Sequence, residues 1–256
     1  MKFVKLILIV GLIMLTTAVR AEKITVVAAA DLRFAMDEMV AGFKKANPGE
    51  EIDLIYGSSG MFFTQIQRGA PFDIFFSADI SFPRELAKNG LTASEAKPYA
   101  VGRIVLWSTT FDASKMTLAS LAEPRITRVA IANPQHAPYG QRAEEALRAA
   151  GLWDKVEPKL VFGENISQTA QYVQSGNAQV GIIALSLALS PELSSRGGYW
   201  LIPDNLHKPL EQGYVITKRA ANNKLAKRFV DFMSSRPALA IMTKYGFVLP
   251  GATVVK

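Results

Sequence analysis

Gly57-Ser58-Ser59-Gly60-Met61-Phe62-Phe63-Thr64-Gln65-Ile66-Gln67-Arg68-Gly69-Ala70-Pro71-Phe72-Asp73-Ile74-Phe75-Phe76-Ser77-Ala78-Asp79 decides the fold. It divides into a turn of small residues, a helix, a second turn and an apolar strand. Another apolar strand, Ile52 to Tyr56, leads into it, and Gly57-Ser58-Ser59-Gly60 opens the helix. A loop of that composition leaves backbone N–H groups unpaired, adds hydroxyls and places no bulk in the way. It offers a seat for an anion, built without a cation.

The same order of elements extends in both directions. Ile24 to Ala29 is an apolar, β-branched run and predicts a strand. Within 31–46, Leu32, Ala35, Met36, Met39, Val40 and Phe43 recur at helical spacing, and Asn47-Pro48-Gly49 ends the helix. A helix over about 60–68, a strand from Phe72 to Ser77 and a helix over 81–89 complete a β-α-β-α-β-α opening. That is the pattern of an open parallel sheet covered by helices. The pattern then restarts with strands at Val101–Trp107 and Ile126–Ala132, a helix over 140–150 and a short strand at Leu160–Phe162. A helix over 166–175 and strands at Val180–Ala184 and Tyr214–Thr217 follow. The last two helices carry Leu225, Phe229, Phe232 and Met233, then Ile241, Met242 and Tyr245.

The expected architecture is α/β in two lobes, each an open sheet flanked by helices. Residues 22–100 with 213–256 form the first lobe and 101–212 the second. Tyr99–Trp107 and Glu211–Thr217 are the expected crossing segments, and the C-terminal helices return to cover the first lobe. Ligands in open α/β sheets sit at the carboxyl ends of strands. The cleft between the lobes is therefore the expected site.

Residues 1–21 have the form of a cleaved export signal. Lys2 and Lys5 precede an apolar run from Leu6 to Leu15, and Ala18-Val19-Arg20-Ala21 ends in small residues. The run is shorter than the roughly 20 residues of a spanning helix. The composition implies cleavage after Ala21 and a soluble periplasmic or secreted protein of about 235 residues, room for one large or two modest domains. The formal charge of +7 falls to +4 once Lys2, Lys5 and Arg20 are removed. The remaining basic residues are scattered among acids, with no cluster to track a nucleic-acid backbone. With no cysteine, disulfides, catalytic thiols, thiolate zinc sites and a lipid-bearing cysteine are excluded.

Four strand-to-helix junctions share a character: Ala28-Ala29-Ala30-Asp31, Gly57-Ser58-Ser59-Gly60, the loop Asn133 to Gly140, and Glu164-Asn165-Ile166-Ser167. Each places free N–H donors at a helix N-terminus, where the dipole favours negative charge. Taken singly, each is also ordinary capping: Asp31 and Asn165 are favoured N-cap residues, and Asn165 with Gln168 resembles a capping box. Taken together, two in each lobe, they form a cage of neutral donors for a small anion. His136 and His207 lie far apart with no partner ligand, so turn and surface roles account for them. Asp73 and Asp79 flank an apolar strand and suit strand-end bonding to turn backbone. Phe62, Phe63, Phe75 and Phe76 suit the core.

The chain resembles the periplasmic molybdate-binding proteins of ABC importers, which have the type II periplasmic binding fold. The resemblance covers the mature chain. It is carried by Lys-Ile-Thr-Val-Val-Ala-Ala-Ala-Asp-Leu at 23–32, Gly-Ser-Ser-Gly at 57–60, Gly-Ala-Pro-Phe-Asp-Ile-Phe-Phe-Ser-Ala-Asp at 69–79 and Asn-Pro-Gln-His-Ala-Pro-Tyr-Gly at 133–140. Gly-Leu-Trp-Asp at 151–154 and Lys-Tyr-Gly-Phe at 244–247 add to it. It implies an oxyanion ligand, molybdate or tungstate, bound by Ala30 and Asp31, by the Ser59 hydroxyl and N–H, and by the N–H groups of Tyr139 and Ile166. Molybdenum or tungsten would enter only as the oxyanion, with no free metal cation and no cofactor. It also implies a membrane permease as partner, a monomer, and no catalysis.

Two positions depart from the commonest family pattern: Tyr139, and Ala184, where many members carry a tyrosine hydroxyl. Asp31 stands apart chemically. A carboxylate aimed at a fully deprotonated dianion repels it. Either the carboxylate turns away to cap the helix while its N–H faces the ligand, or it accepts a proton from a protonated oxyanion such as hydrogen phosphate or a phosphonate. A secreted enzyme on the same scaffold is the reading from another class. It needs a nucleophile–base pair or general acid in the cleft, and no such spacing is present.

Overall fold

The computed structural model describes residues 22–251; the expected export signal lies outside them. The chain begins with β1 (Lys23–Ala29), one 3-10 turn (Ala30–Leu32) and α1 (Arg33–Ala46). β2 (Glu51–Gly57), α2 (Ser59–Gln67), β3 (Ile74–Ser77), α3 (Ser81–Lys88) and β4 (Lys97–Gly102) follow. Next come β5 (Ile104–Ser108), β6 (Val129–Ala132), α4 (Pro138–Ala149), α5 (Trp153–Val156) and β7 (Leu160–Gly163). Then α6 (Ile166–Gln174), β8 (Val180–Ala184), α7 (Leu185–Ala188), α8 (Pro191–Ser194) and β9 (Gly198–Leu201) lead to β10 (Leu210–Ile216). The helices α9 (Lys224–Phe232) and α10 (Arg236–Lys244) close the chain.

The strands form two five-stranded mixed sheets, β2-β1-β3-β10-β4 and β7-β6-β8-β5-β9. In the first, β1 pairs parallel with β2 and β3, and β10 runs antiparallel to β3 and β4. In the second, β6 pairs parallel with β7 and β8, and β5 runs antiparallel to β8 and β9.

Alternation along the strands explains why helices cover both faces of the first sheet. Val26 and Ala28 join Met36, Met39, Phe43 and Phe229 in one buried cluster. Val27 between them joins Phe62, Ile66, Phe75 and Leu86 in another. The C-terminal helices thus pack on the same face as α1. There the Phe43 and Phe229 rings meet edge to face, with centroids 5.4 Å apart. The second sheet has its own core, with Leu106, Trp107, Ile131, Leu147, Val173 and Ile182 fully buried.

Two sequence expectations are corrected, and one strand is added to them. Val101–Trp107 is not one strand: the run breaks at Arg103, leaving β4 in the first sheet and β5 in the second. Gly102-Arg103 marks the break, but the buried apolar residues on either side of it read as one run. The return crossing precedes Glu211–Thr217 and runs through residues 202–209, since β10 already pairs with β4 from Leu210. The short β9 edge strand, with half-exposed Trp200 and Leu201, carries too weak an alternation to be read from sequence.

Candidate functional site

Five strand ends converge between the sheets. Ala29, Ala30 and Asp31 follow β1, and Gly57, Ser58 and Ser59 follow β2. Ala78 follows β3, Ala137, Pro138 and Tyr139 open α4 beyond β6, and Asn165 and Ile166 open α6 beyond β7. These residues line one small cavity of about 10 Å³, and no arginine or lysine is among them. All five residues expected to contact the ligand, Ala30, Asp31, Ser59, Tyr139 and Ile166, are brought together in this lining.

Local geometry explains the donors. Ser59 and Ile166 are the first residues of their helices and Tyr139 the second, so their N–H groups have no intrahelical acceptor. Neither a turn carbonyl nor a side chain takes them among the described residues. The Ser59 hydroxyl accepts the Ala78 N–H at 3.0 Å, which fixes the oxygen and leaves its proton free to donate. Asn165 caps α6 by accepting from the N–H of Ser167 and of Gln168, both at 3.0 Å. Gln168 reaches back to the N–H of Glu164, one residue before the cap, where a capping box would reach the cap itself.

The Asp31 carboxyl turns into the protein without capping the helix, a departure from the capping expectation. The turn that contains Asp31, which begins at Ala30, has no side-chain cap. The side chain is 1% exposed and points to a polar network that spans the cleft. Oδ2 accepts from the Tyr139 hydroxyl at 2.9 Å and from Gln212 Nε2 at 2.8 Å. Gln212 Oε1 in turn accepts from the Tyr99 hydroxyl at 2.6 Å. Oδ1 is buried and forms no well-aligned hydrogen bond, the Asp31 and Leu32 N–H groups lying near the carboxyl without closing one. Burial pushes the Asp31 carboxyl up to about 6, against the bonds from Gln212 and Tyr139 and weaker help from the Asp31 and Leu32 N–H groups. Burial, followed by the nearby Asp31 charge, also holds the Tyr139 and Tyr99 phenols well above their ordinary value.

Further bonds cross between the halves. Ser167 donates to the Ala30 carbonyl at 2.9 Å, and Ser186 to the Asp31 carbonyl at 2.8 Å. The His136 carbonyl accepts from Ser58 Oγ at 2.5 Å and from Gly60 N–H at 2.9 Å. A Cβ on Gly60 would sit 2.6 Å from that carbonyl, so this approach requires glycine. The arrangement is a closed cleft around neutral donors, suited to holding a small acceptor-rich ion.

The sequence profile of the bacterial extracellular solute-binding proteins matches residues 24–248. The chain belongs to that family. Among related solute-binding proteins, the molybdate-binding protein ModA of Rhodobacter capsulatus is 39% identical over 202 residues, 78% of each chain. ModA of Azotobacter vinelandii is 34% identical over 246 residues, 96% of this chain and 97% of that one. The solved structure of the Azotobacter vinelandii periplasmic molybdate-binding protein superposes with a TM-score of 0.83 at 33% identity, covering 89% of this chain and 99% of that one. The two-sheet architecture is thus that of a two-lobed solute-binding protein.

Sequence reading missed the Tyr139 side chain, Gln212, Tyr99, Ser167, Ser186 and the contact made by His136. Gln212 had a legible signal. It shares a strand face with Leu210, Tyr214 and Ile216, so a polar group stood at a core position. Ala184 ends β8 fully buried and offers no hydroxyl; the phenol in the cavity lining is that of Tyr139. Asp73 and Asp79 bond backbone N–H groups at strand and helix ends, Thr25 at 2.7 Å and Ser81 at 2.8 Å.

Proposed function

We propose that this protein is the periplasmic solute-binding component of an ABC importer and captures molybdate between its lobes. The observation that carries the reading is a small cavity between the lobes lined by helix-start N–H groups and the Ser59 hydroxyl, with no cationic side chain in its wall. A tetrahedral dianion offers only acceptors, and that wall offers mainly donors. Each charge-assisted bond contributes about 1.5–3 kcal/mol net, more where water is excluded. The ModA relatives named above support molybdate as the ligand. Tungstate, which presents the same acceptor set, is the second ligand.

Residues 22–102 with 210–251, which carry the first sheet, form one lobe and residues 103–209 the other, and the ligand favours the closed state because donors come from both. The N-terminal segment directs export and is removed. The loaded monomer delivers its ligand to a membrane permease and performs no chemistry on it. Calorimetric titration of the mature protein with molybdate, tungstate, sulfate and phosphate tests this. Tight binding of molybdate or tungstate with little response to phosphate is the expected result. Phosphate binding without molybdate binding would overturn it.

A further inference from the structure

Asp31 is a buried carboxyl in the wall of a site assigned to a dianion. Oδ2 already accepts two donors, from Tyr139 and Gln212. It has no free capacity to carry a proton without breaking one of them. Oδ1 is buried and forms no well-aligned hydrogen bond. A proton on this carboxyl therefore belongs on Oδ1, where it is a donor in search of an acceptor, and Asp31 lines the cavity where the acceptor-rich ligand sits. With the proton absent, a carboxylate and a dianion share one water-poor space, which repulsion forbids.

We propose that Asp31 is a specificity-determining residue that enters the complex as a neutral acid, donating from Oδ1 to the bound dianion, so that capture takes up one proton from solvent. The inference rests on the oxyanion reading above and deepens it. The surroundings agree. The titratable groups facing the carboxyl are the Tyr139 phenol from α4 and, through Gln212, the Tyr99 phenol from β4. Both are held neutral by burial. From α6 and α7, the Ser167 and Ser186 hydroxyls donate to the Ala30 and Asp31 backbone carbonyls, and from α2 the Ser59 hydroxyl accepts the Ala78 N–H; all three are neutral. Arg33, two residues on, lies over the Phe34 ring. The His136 ring is engaged with Ser58. Burial in the closed cleft pushes the carboxyl up to about 6 before any ligand is present, and a dianion beside it raises that further. A donor at this position accepts an oxyanion with a bare oxygen and rejects one that turns a hydroxyl toward it.

The experiment is calorimetric titration of the mature protein with sodium molybdate, in buffers of different ionisation enthalpy, from about pH 6.5 to about pH 8.5. Proton uptake approaching one is expected, with Kd rising about tenfold per pH unit until the carboxyl of the complex itself titrates. Asp31→Asn keeps an acceptor for Tyr139 and Gln212 and places an N–H donor where Oδ1 stood. It should bind molybdate with no proton uptake and a flat pH profile. Tight molybdate binding by the wild type with no proton uptake overturns this proposal and leaves the molybdate reading standing. Uptake that persists in Asp31→Asn overturns the assignment to Asp31. Absence of molybdate binding by the wild type overturns both. Should Asp31→Asn fail to fold, the wild-type proton count decides.

Discussion

The junctions after β1 and β2 are neighbours in one sheet, in register at Ala29 and Gly57, yet they meet the cavity with opposite chemistry. Ser59 presents a hydroxyl, which accepts the Ala78 N–H and still has a proton to give. Asp31 presents a carboxyl, which accepts from Tyr139 and Gln212 and has a proton to give only when neutral. Both are buried and both are tied to the scaffold. The difference teaches that a donor can be unconditional or conditional on pH, and this site holds one of each.

The largest effect expected from that difference is on the ligand-free protein. A carboxyl whose folded value lies above its ordinary 3.8, at about 6, binds its proton more tightly when folded. Its favourable contribution is present below about pH 3.8 and is lost as pH rises to about 6, remaining absent above that. Two units correspond to about 3 kcal/mol. Asp31→Asn should therefore gain up to about 3 kcal/mol over the wild type at pH 8 and show no advantage near pH 3.5, measured by denaturant unfolding. An equal difference at both pH values breaks the contrast between the two junctions.

Ser59→Ala probes the unconditional donor and should have the next largest effect. Molybdate binding should weaken by about 1.5–3 kcal/mol, roughly tenfold to a hundredfold, because a buried bond to a charged group is lost and the Ala78 N–H is stranded. The loss should be the same at pH 6.5 and pH 8, unlike any loss at Asp31. A pH-dependent deficit in Ser59→Ala would show that the two junctions act as one unit.

The Ser59 junction was legible in the sequence because its message is local. Small residues between an apolar strand and an amphipathic helix specify free N–H groups wherever they occur. The order of strands and helices was legible for the same reason, since periodicity reports burial. The Asp31 junction was not, because its chemistry is set by residues 108 and 181 positions away, Tyr139 and Gln212. Nothing within a few residues of Asp31 says that a phenol will reach it across the cleft. The break at Arg103 was hidden differently. Two strands buried in different sheets read as one apolar run when a single residue separates them.

His136 tests whether closure is held by side chains or by backbone, and should show the smallest effect. Its carbonyl accepts from Ser58 Oγ and Gly60 N–H, while its ring contributes one contact, Nδ1 to Ser58 Oγ at 2.9 Å. Alanine keeps the carbonyl and removes only the ring. His136→Ala should therefore change molybdate affinity by about 0.5–1 kcal/mol or less, the worth of one ordinary partly exposed hydrogen bond. Ser58→Ala removes the donor to the carbonyl as well as the ring's partner and should cost more. If His136→Ala costs as much as Ser59→Ala, the ring supports the cavity wall itself and joins the Tyr139, Ser167 and Ser186 side chains that reach across from the second sheet.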